Sequence, residues 1–161
     1  MFDAQTIRLA TDVLVVCRAK GWRLATAESC TGGLVAAALT AIADSSEVID
    51  RGFVAYSNRA KTILLGVPET MLAAVGAVSA EVAQAMALGA VSQAGVDLGV
   101  SVTGIAGPGG STSEKPVGLV HIGVATKNGA RSERQLFPGD RAGIRRAATI
   151  RALEMLKEAA A

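Results

Sequence analysis

Residues 23–42 read RLATAESCTGGLVAAALTAI, and the predicted secondary structure changes within this short stretch. Residues 23–28 are predicted to form a strand, and residues 34–42 are predicted to form a helix. The turn between them is Ser29-Cys30-Thr31-Gly32-Gly33, whose glycines and small polar residues are typical of turns. The stretch therefore predicts a strand followed at once by a helix, with a polar cluster at the junction.

The rest of the chain continues this alternation of helices and strands. Further strands are predicted over 48–57, 98–102, 117–126 and 132–137. Helices are predicted over 4–20, after the caps Asn58, Ser79 and Asp140, and from Pro68. Lys61 falls in the first turn of the helix that Asn58 caps. Because the last two strands read as a hairpin, the order predicts an α/β sandwich with a mixed sheet, in one domain over residues 1–161.

The composition excludes several classes of protein. Half of the residues are hydrophobic and the net charge is only +2, so the chain has ample core material and no basic stripe for nucleic acid. No apolar run reaches the roughly 20 residues of a membrane span. Two cysteines, Cys17 and Cys30, are too few for a disulfide framework. We expect a soluble cytoplasmic protein without a signal peptide; the oligomeric state stays open, with a homodimer as one alternative.

Three polar loops follow predicted strands, namely 29–33, 56–61 and 103–110. Ligands of open α/β sheets bind beyond the strand ends, so we expect these loops to converge. The glycine loop lacks the Lys-Ser/Thr ending of a phosphate-binding loop and the strict dinucleotide fingerprint, and no cofactor is predicted. Candidate substrate-binding positions in the loops are Thr31, Gly32, Gly33, Gly104 and Gly107.

The composition allows few combinations of catalytic residues. A single histidine, His121, rules out a metal site with several imidazoles, and we interpret it as a strand residue with a satisfied hydrogen bond. Cys30 lacks a histidine partner and is interpreted as a small buried neighbour. Serine activated by lysine remains, with Ser29 and Ser46 as candidate nucleophiles and Lys61 as candidate base. Such a lysine must be neutral near pH 7, which requires burial or nearby positive charge.

Each of these positions also has an ordinary structural interpretation. Ser29 and Thr31 are equally well explained as caps of the following helix. Ser46 reads as a loop serine, Lys61 as a solvated residue of a first helical turn, and Thr103 as a strand-end hydroxyl bonded to its own turn. Local spacing alone leaves both interpretations open.

Six short motifs occur in order along nearly the whole chain: AESCTGG (27–33), RGFVAYSN (51–58), AK (60–61), GAVS (76–79), GIAGP (104–108) and KPVG (115–118). Together they resemble the CinA C-terminal domain family and its stand-alone nicotinamide-mononucleotide deamidases. The resemblance implies a three-layer α/β/α fold and metal-free hydrolysis of nicotinamide mononucleotide to nicotinate mononucleotide and ammonia, in pyridine-nucleotide recycling. Family members often carry an additional N-terminal domain, and we expect only the deamidase module here.

The family's serine-lysine dyad implies Ser46 as nucleophile and Lys61 as base, with Ser29, Tyr56 and Thr103 in support. The choice of Ser46 over Ser29 rests on the resemblance alone. The sequence departs from the family pattern at Ala43-Asp44, where a glycine is expected before the serine pair.

The expected reaction assigns further roles. Backbone amides of Gly32 or Gly33 are expected to stabilise the oxyanion. Arg141 or Arg145, four residues apart on one helix, is expected to hold the 5′-phosphate. Two alternatives remain at this point: a non-catalytic nucleotide-binding or interaction module, and an amidohydrolase for a different amide.

Overall fold

A computed structural model describes residues 1–161, and its centre is a five-stranded mixed sheet. The strands are β1 (Leu24–Glu28), β2 (Ile49–Val54), β3 (Leu98–Gly104), β4 (Leu119–Thr126) and β5 (Gly129–Leu136). Their order across the sheet is β2-β1-β3-β4-β5. β1 runs parallel to β2 and β3, whereas β4 is antiparallel to both β3 and β5. The predicted mixed sheet and terminal hairpin are confirmed.

Helices cover both faces of the sheet. They are α1 (Ala4–Lys20), α2 (Leu34–Thr40), α3 (Asn58–Leu65), α4 (Glu69–Val75), α5 (Ala80–Ala94) and α6 (Arg141–Ala160), with a single 3-10 turn at Ser45–Glu47. One core lies between the sheet and α1, α2 and α6, and a second lies under α3, α4 and α5. Leu24 belongs to the first core and Ala25 to the second, since neighbouring strand residues point to opposite faces. The three-layer α/β/α fold is confirmed, and no helix is both long and apolar enough to cross a membrane.

Several predicted boundaries were wrong by a few residues. Ser57, not Asn58, caps α3, because the Ser57 hydroxyl accepts the Ala60 N–H at 3.0 Å. Pro68 is the residue just before α4 rather than its first residue. β3 extends to Gly104, which pairs with Val120, so Thr103 lies inside the strand. The antiparallel pairing supplies hydrogen bonds that keep this glycine extended.

The end of β1 is fixed by a buried carboxylate that the sequence did not single out. Glu28 is 1% exposed, and its carboxylate accepts the N–H groups of Val35 at 2.9 Å and Ala36 at 3.0 Å. These donors belong to the first turn of α2, whose own N-cap, Gly33, offers no side chain. Glu28 therefore supplies the cap that satisfies the start of α2, and neither Ser29 nor Thr31 does so.

The contact between α3 and α5 depends on a glycine. A Cβ at Gly89 would lie 2.1 Å from the Leu65 carbonyl oxygen. We expect Gly89→Ala to lower the free energy of unfolding by about 1–3 kcal/mol through overpacking, although alanine favours helices over glycine. Urea unfolding measures the change.

Leu88→Ala is the matched control, since Leu88 lies one residue away on α5 with an exposed side chain. Its effect should stay within about 0.5 kcal/mol. Equal stability of Gly89→Ala and the wild type would contradict the close approach of α3 and α5.

Candidate active site

A cavity of about 260 Å³ lies beyond the carboxyl ends of β1 and β3. Parallel strands bring their carboxyl ends to one edge of the sheet, and all three loops expected to converge contribute to its wall. The wall includes Ser29 and Cys30 from the first loop, Tyr56, Asn58 and Lys61 from the second, and Thr103, Gly104 and Gly107 from the third. Arg141, at the start of α6, and Ala77 and Val78, just before α5, also line it.

Lys61 is the most unusual side chain of this cavity, because it is an amine that is only 2% exposed. It projects from the first turn of α3 toward the end of β1. Its Nζ lies 3.1 Å from Ser29 Oγ, 3.1 Å from the Ala55 carbonyl oxygen and 3.3 Å from the Tyr56 carbonyl oxygen. No carboxylate forms an ion pair with it.

The three neighbours of Lys61 determine how a neutral amine would be oriented. A neutral amine has two N–H groups and one lone pair, and carbonyl oxygens can only accept. The carbonyls of Ala55 and Tyr56 therefore take the two N–H groups. The lone pair then faces Ser29, the one neighbour with a proton to give, which is the arrangement needed of a general base.

Burial lowers the pKa of Lys61 from its ordinary value of 10.5. The cause is desolvation, which penalises the charged ammonium more than the neutral amine. Each unit of such a shift removes roughly 1.4 kcal/mol from the cost of deprotonation at neutral pH. The fold therefore provides the burial that a lysine needs in order to act as a neutral base.

The structure does not bring Ser46 to Lys61. Ser46 is exposed in the Ser45–Glu47 turn, which precedes β2, whereas Ser29 follows β1. Since β1 and β2 are parallel, Ser46 lies at the opposite edge of the sheet, and about 15 Å of strand separates the two edges. The pairing of Ser46 with Lys61 is therefore corrected to a pairing of Ser29 with Lys61.

The departure at Ala43-Asp44 has a structural explanation. Asp44 adopts a left-handed backbone with φ 60°, the only non-glycine residue of the chain to do so. Glycine is the residue that this conformation favours, and aspartate tolerates it better than most others. The loop therefore keeps the geometry for which a glycine is expected.

The two other reactive side chains are poor nucleophiles or bases. Burial raises the pKa of the Cys30 thiol to about 11, so this residue is a protonated thiol at neutral pH. His121 is buried within β4 and pairs with Thr103 but does not itself line the cavity, and burial together with Arg134 and Lys115 lowers its pKa. The expected hydrogen bond of its ring is missing at one nitrogen, because Nδ1 has no partner.

Tyr56, Thr103 and Arg141 lie at the cavity, as the sequence predicts. Arg141 donates to the Gly107 carbonyl oxygen at 2.7 Å and to the Tyr56 hydroxyl at 3.1 Å, so it joins two of the loops. Thr103 donates its hydroxyl to the Ala77 carbonyl oxygen at 2.8 Å, which ties the end of β3 to the segment before α5.

Four predicted substrate-binding residues do not line the cavity: Thr31, Gly32, Gly33 and Arg145. The Gly32 N–H donates to the Ser29 carbonyl oxygen at 3.0 Å and is therefore not free for an oxyanion. The Cys30 N–H makes no hydrogen bond to another residue, and Cys30 does line the cavity. No group of three or more His, Cys, Asp or Glu residues is placed to hold a metal ion.

The lowered pKa of Lys61 predicts a pH dependence of stability. The folded state holds fewer protons than the unfolded state between the folded pKa and about 10.5, so Lys61 destabilises the fold most at low pH and least above 10.5. We expect the free energy of unfolding of the wild type to rise relative to that of Lys61→Met as pH rises toward 10.5. Urea unfolding across a pH series measures it.

Lys127→Met, in the exposed turn between β4 and β5, is the control for removal of a lysine charge. A Lys61→Met difference that does not change with pH would contradict the desolvation of the amine.

Comparisons with known proteins place this chain in a family. The CinA C-terminal domain model matches residues 6–160. The chain is 49% identical over 155 residues to the nicotinamide-nucleotide amidohydrolase PncC of Enterobacter agglomerans, which covers 96% of this chain and 94% of that protein. It is 53% identical over 146 residues to a CinA-like protein of Anaeromyxobacter dehalogenans, covering 89% of this chain but only 36% of that protein.

A solved structure agrees in fold over nearly the full length. The competence/damage inducible protein CihA from Agrobacterium tumefaciens superposes with a TM-score of 0.94 at 46% identity, covering 97% of this chain and 96% of that chain. Sequence family, relatives and fold all agree, and the chain belongs to the CinA C-terminal domain family.

Proposed function

We propose that this chain is an amidohydrolase that converts nicotinamide mononucleotide to nicotinate mononucleotide and ammonia, with Ser29 as nucleophile and Lys61 as base. The observation that carries the proposal is the 3.1 Å contact between the buried Lys61 Nζ and Ser29 Oγ at the cavity wall. Identity of 49% with the amidohydrolase PncC over nearly both whole chains supports the activity and the substrate. The reaction would act in pyridine-nucleotide recycling.

The first half of the reaction uses Ser29 and Lys61 together. Neutral Lys61 takes the hydroxyl proton as Ser29 Oγ attacks the carboxamide carbon, which gives a tetrahedral intermediate. The resulting ammonium returns the proton to the amide nitrogen, the C–N bond breaks, and ammonia leaves. Water then attacks the acyl-enzyme and gives a proton to Lys61. The bond between the acyl carbon and Ser29 Oγ breaks, Lys61 returns this proton to Ser29, and the acid product leaves as its carboxylate after losing a proton to solvent.

The oxyanion needs a donor, and the Cys30 N–H is the best placed in the nucleophile's own turn. It belongs to the residue after Ser29, at a junction of strand and helix, and it makes no hydrogen bond to another residue. The same position supplies an oxyanion donor in hydrolases whose serine sits on a strand-turn-helix. This role replaces the one expected of Gly32 or Gly33, neither of which lines the cavity.

Arg141 is the proposed contact for the 5′-phosphate. It is the arginine of the cavity wall, and guanidinium groups bind phosphate through charge-assisted hydrogen bonds. The Tyr56 hydroxyl, held by Arg141, lies at the same side of the cavity and would contact the ribose or the departing ammonia.

Removal of either member of the dyad should stop the reaction. We expect Ser29→Ala and Lys61→Met to lower kcat for nicotinamide mononucleotide by about 1,000-fold or more, because nucleophile and base act as one unit. Ammonia release, coupled to glutamate dehydrogenase, measures the rate, and calorimetry with the product checks that both variants still bind it.

Ser46→Ala is the matched control and should keep kcat within about twofold, because Ser46 lies exposed at the far edge of the sheet. Loss of turnover in Ser46→Ala with full activity in Ser29→Ala would reverse the assignment. Product binding without any ammonia release by the wild type would instead indicate a non-catalytic binding module.

The phosphate contact is tested by a change in affinity. We expect Arg141→Met to raise KM for nicotinamide mononucleotide by about 10- to 100-fold, the effect of losing roughly 1.5–3 kcal/mol of charge-assisted hydrogen bonding. Steady-state kinetics with the mononucleotide and its riboside measure it. An Arg141→Met variant that discriminates between these two substrates as strongly as the wild type would contradict the contact.

A further inference from the structure

Arg145 holds the turn that carries Ser29, although it reaches that turn from the far end of the sequence. It lies one helical turn after Arg141 on α6, with its side chain half-buried. Its Nε donates to the Cys30 carbonyl oxygen and its Nη2 to the Thr31 carbonyl oxygen, each at 3.0 Å. One planar guanidinium thus binds two successive carbonyls of the nucleophile's turn.

Few other side chains hold this turn. The Thr31 hydroxyl is fully buried and has no partner, and the Ser29 hydroxyl is engaged with Lys61. The backbone adds two hydrogen bonds: the Gly32 N–H donates to the Ser29 carbonyl oxygen at 3.0 Å, and the Leu34 N–H donates to the Thr31 carbonyl oxygen at 3.3 Å. Arg145 is therefore the one group that binds the Cys30 carbonyl oxygen and the one side chain that binds the Thr31 carbonyl oxygen.

Gly32 fits the same interpretation. Its backbone is left-handed with φ 61°, and a Cβ there would lie 3.2 Å from Arg145 Nη2. The glycine thus accommodates both the turn and the guanidinium that packs on it. Arg145 and Gly32 are parts of one arrangement.

Planar trans peptides pass this orientation on to the reacting groups. In such a peptide the C=O and N–H point in opposite directions, so the Cys30 and Thr31 carbonyls that Arg145 binds orient the N–H groups of Thr31 and Gly32. The Gly32 N–H donates to the Ser29 carbonyl oxygen, which lies in the same peptide plane as the Cys30 N–H. Ser29 Oγ and the Cys30 N–H belong to this turn. A displacement of about 1 Å in such groups lowers catalytic rates by about 100-fold.

We infer that Arg145 is a positioning residue, which orients the Ser29 turn for attack and does not bind the phosphate. The inference rests on the proposed function of Ser29. Arg141 and Arg145 thus have different roles on successive turns of α6. Arg141 lines the cavity, and Arg145 binds the turn that carries the nucleophile.

The test compares Arg145→Lys and Arg145→Met with the wild type. Lysine keeps the positive charge but lacks the planar fork that spans two carbonyls. We expect kcat to fall about 100-fold in Arg145→Met and about 10-fold or more in Arg145→Lys, with KM and the Kd of nicotinate mononucleotide within about threefold of the wild type. Thermal unfolding establishes that Arg145→Lys is folded.

Arg146→Met is the matched control. Arg146 is the next residue of α6, and its exposed guanidinium pairs with Asp3 at 2.7 Å, away from the cavity. Its kcat and KM should equal those of the wild type. A rise in KM or Kd of tenfold or more in both Arg145 variants with unchanged kcat would identify Arg145 as a phosphate ligand and overturn the inference, as would unchanged kinetics in Arg145→Met.

Hydrogen exchange separates this inference from the proposed function. In Arg145→Lys and Arg145→Met, the backbone amides of residues 30–33 should exchange faster than in the wild type by about 10-fold or more, whether or not the protein releases ammonia. Unchanged exchange in this segment would overturn the positioning role. Absence of ammonia release by the wild type would overturn the proposed function alone.

Discussion

The contact between Lys61 and Ser29 depends on the removal of an amine from water. The ammonium form is stabilised by hydration, and a lysine that is 2% exposed without a carboxylate partner loses that hydration. Two backbone carbonyls replace part of it and at the same time take the N–H groups of the neutral amine. Burial thus lowers the pKa, and the two carbonyls leave the lone pair of a neutral Lys61 directed at the serine hydroxyl.

The surrounding fold serves to hold these two atoms 3.1 Å apart. Ser29 directly follows β1, and its N–H donates to the Val102 carbonyl oxygen of β3. Glu28, the last residue of β1, accepts a hydrogen bond from the first turn of α2. Lys61 comes from α3, which packs closely on α5 at Gly89. Because β1 and α3 are each fixed by separate buried contacts, the packing of whole elements brings Ser29 and Lys61 together, and the turn after β1 sets the final orientation of Ser29.

The family comparisons and the site geometry support the same activity from different directions. The match to PncC, at 49% identity over nearly the full length, supports hydrolysis of a nicotinamide nucleotide. The cavity shows which groups lie within reach of one another. The relatives of greater length, of which the chain spans about a third, bear names that state no activity. The geometry is therefore what selects Ser29 among the serines.

The sequence by itself determined the order of helices and strands and the three site loops, because periodicity, caps and turn residues act over a few neighbouring positions. It made Lys61 the candidate base only by exclusion of other catalytic sets and by resemblance to the family, since local spacing fits a solvated lysine equally well. Only the tertiary structure decided that Ser29 rather than Ser46 meets Lys61, because the direction and pairing of β1 and β2 put the two serines at opposite edges of the sheet. The contacts of Arg145 join residues 114 and 115 positions apart, and no local pattern encodes such a distance along the chain.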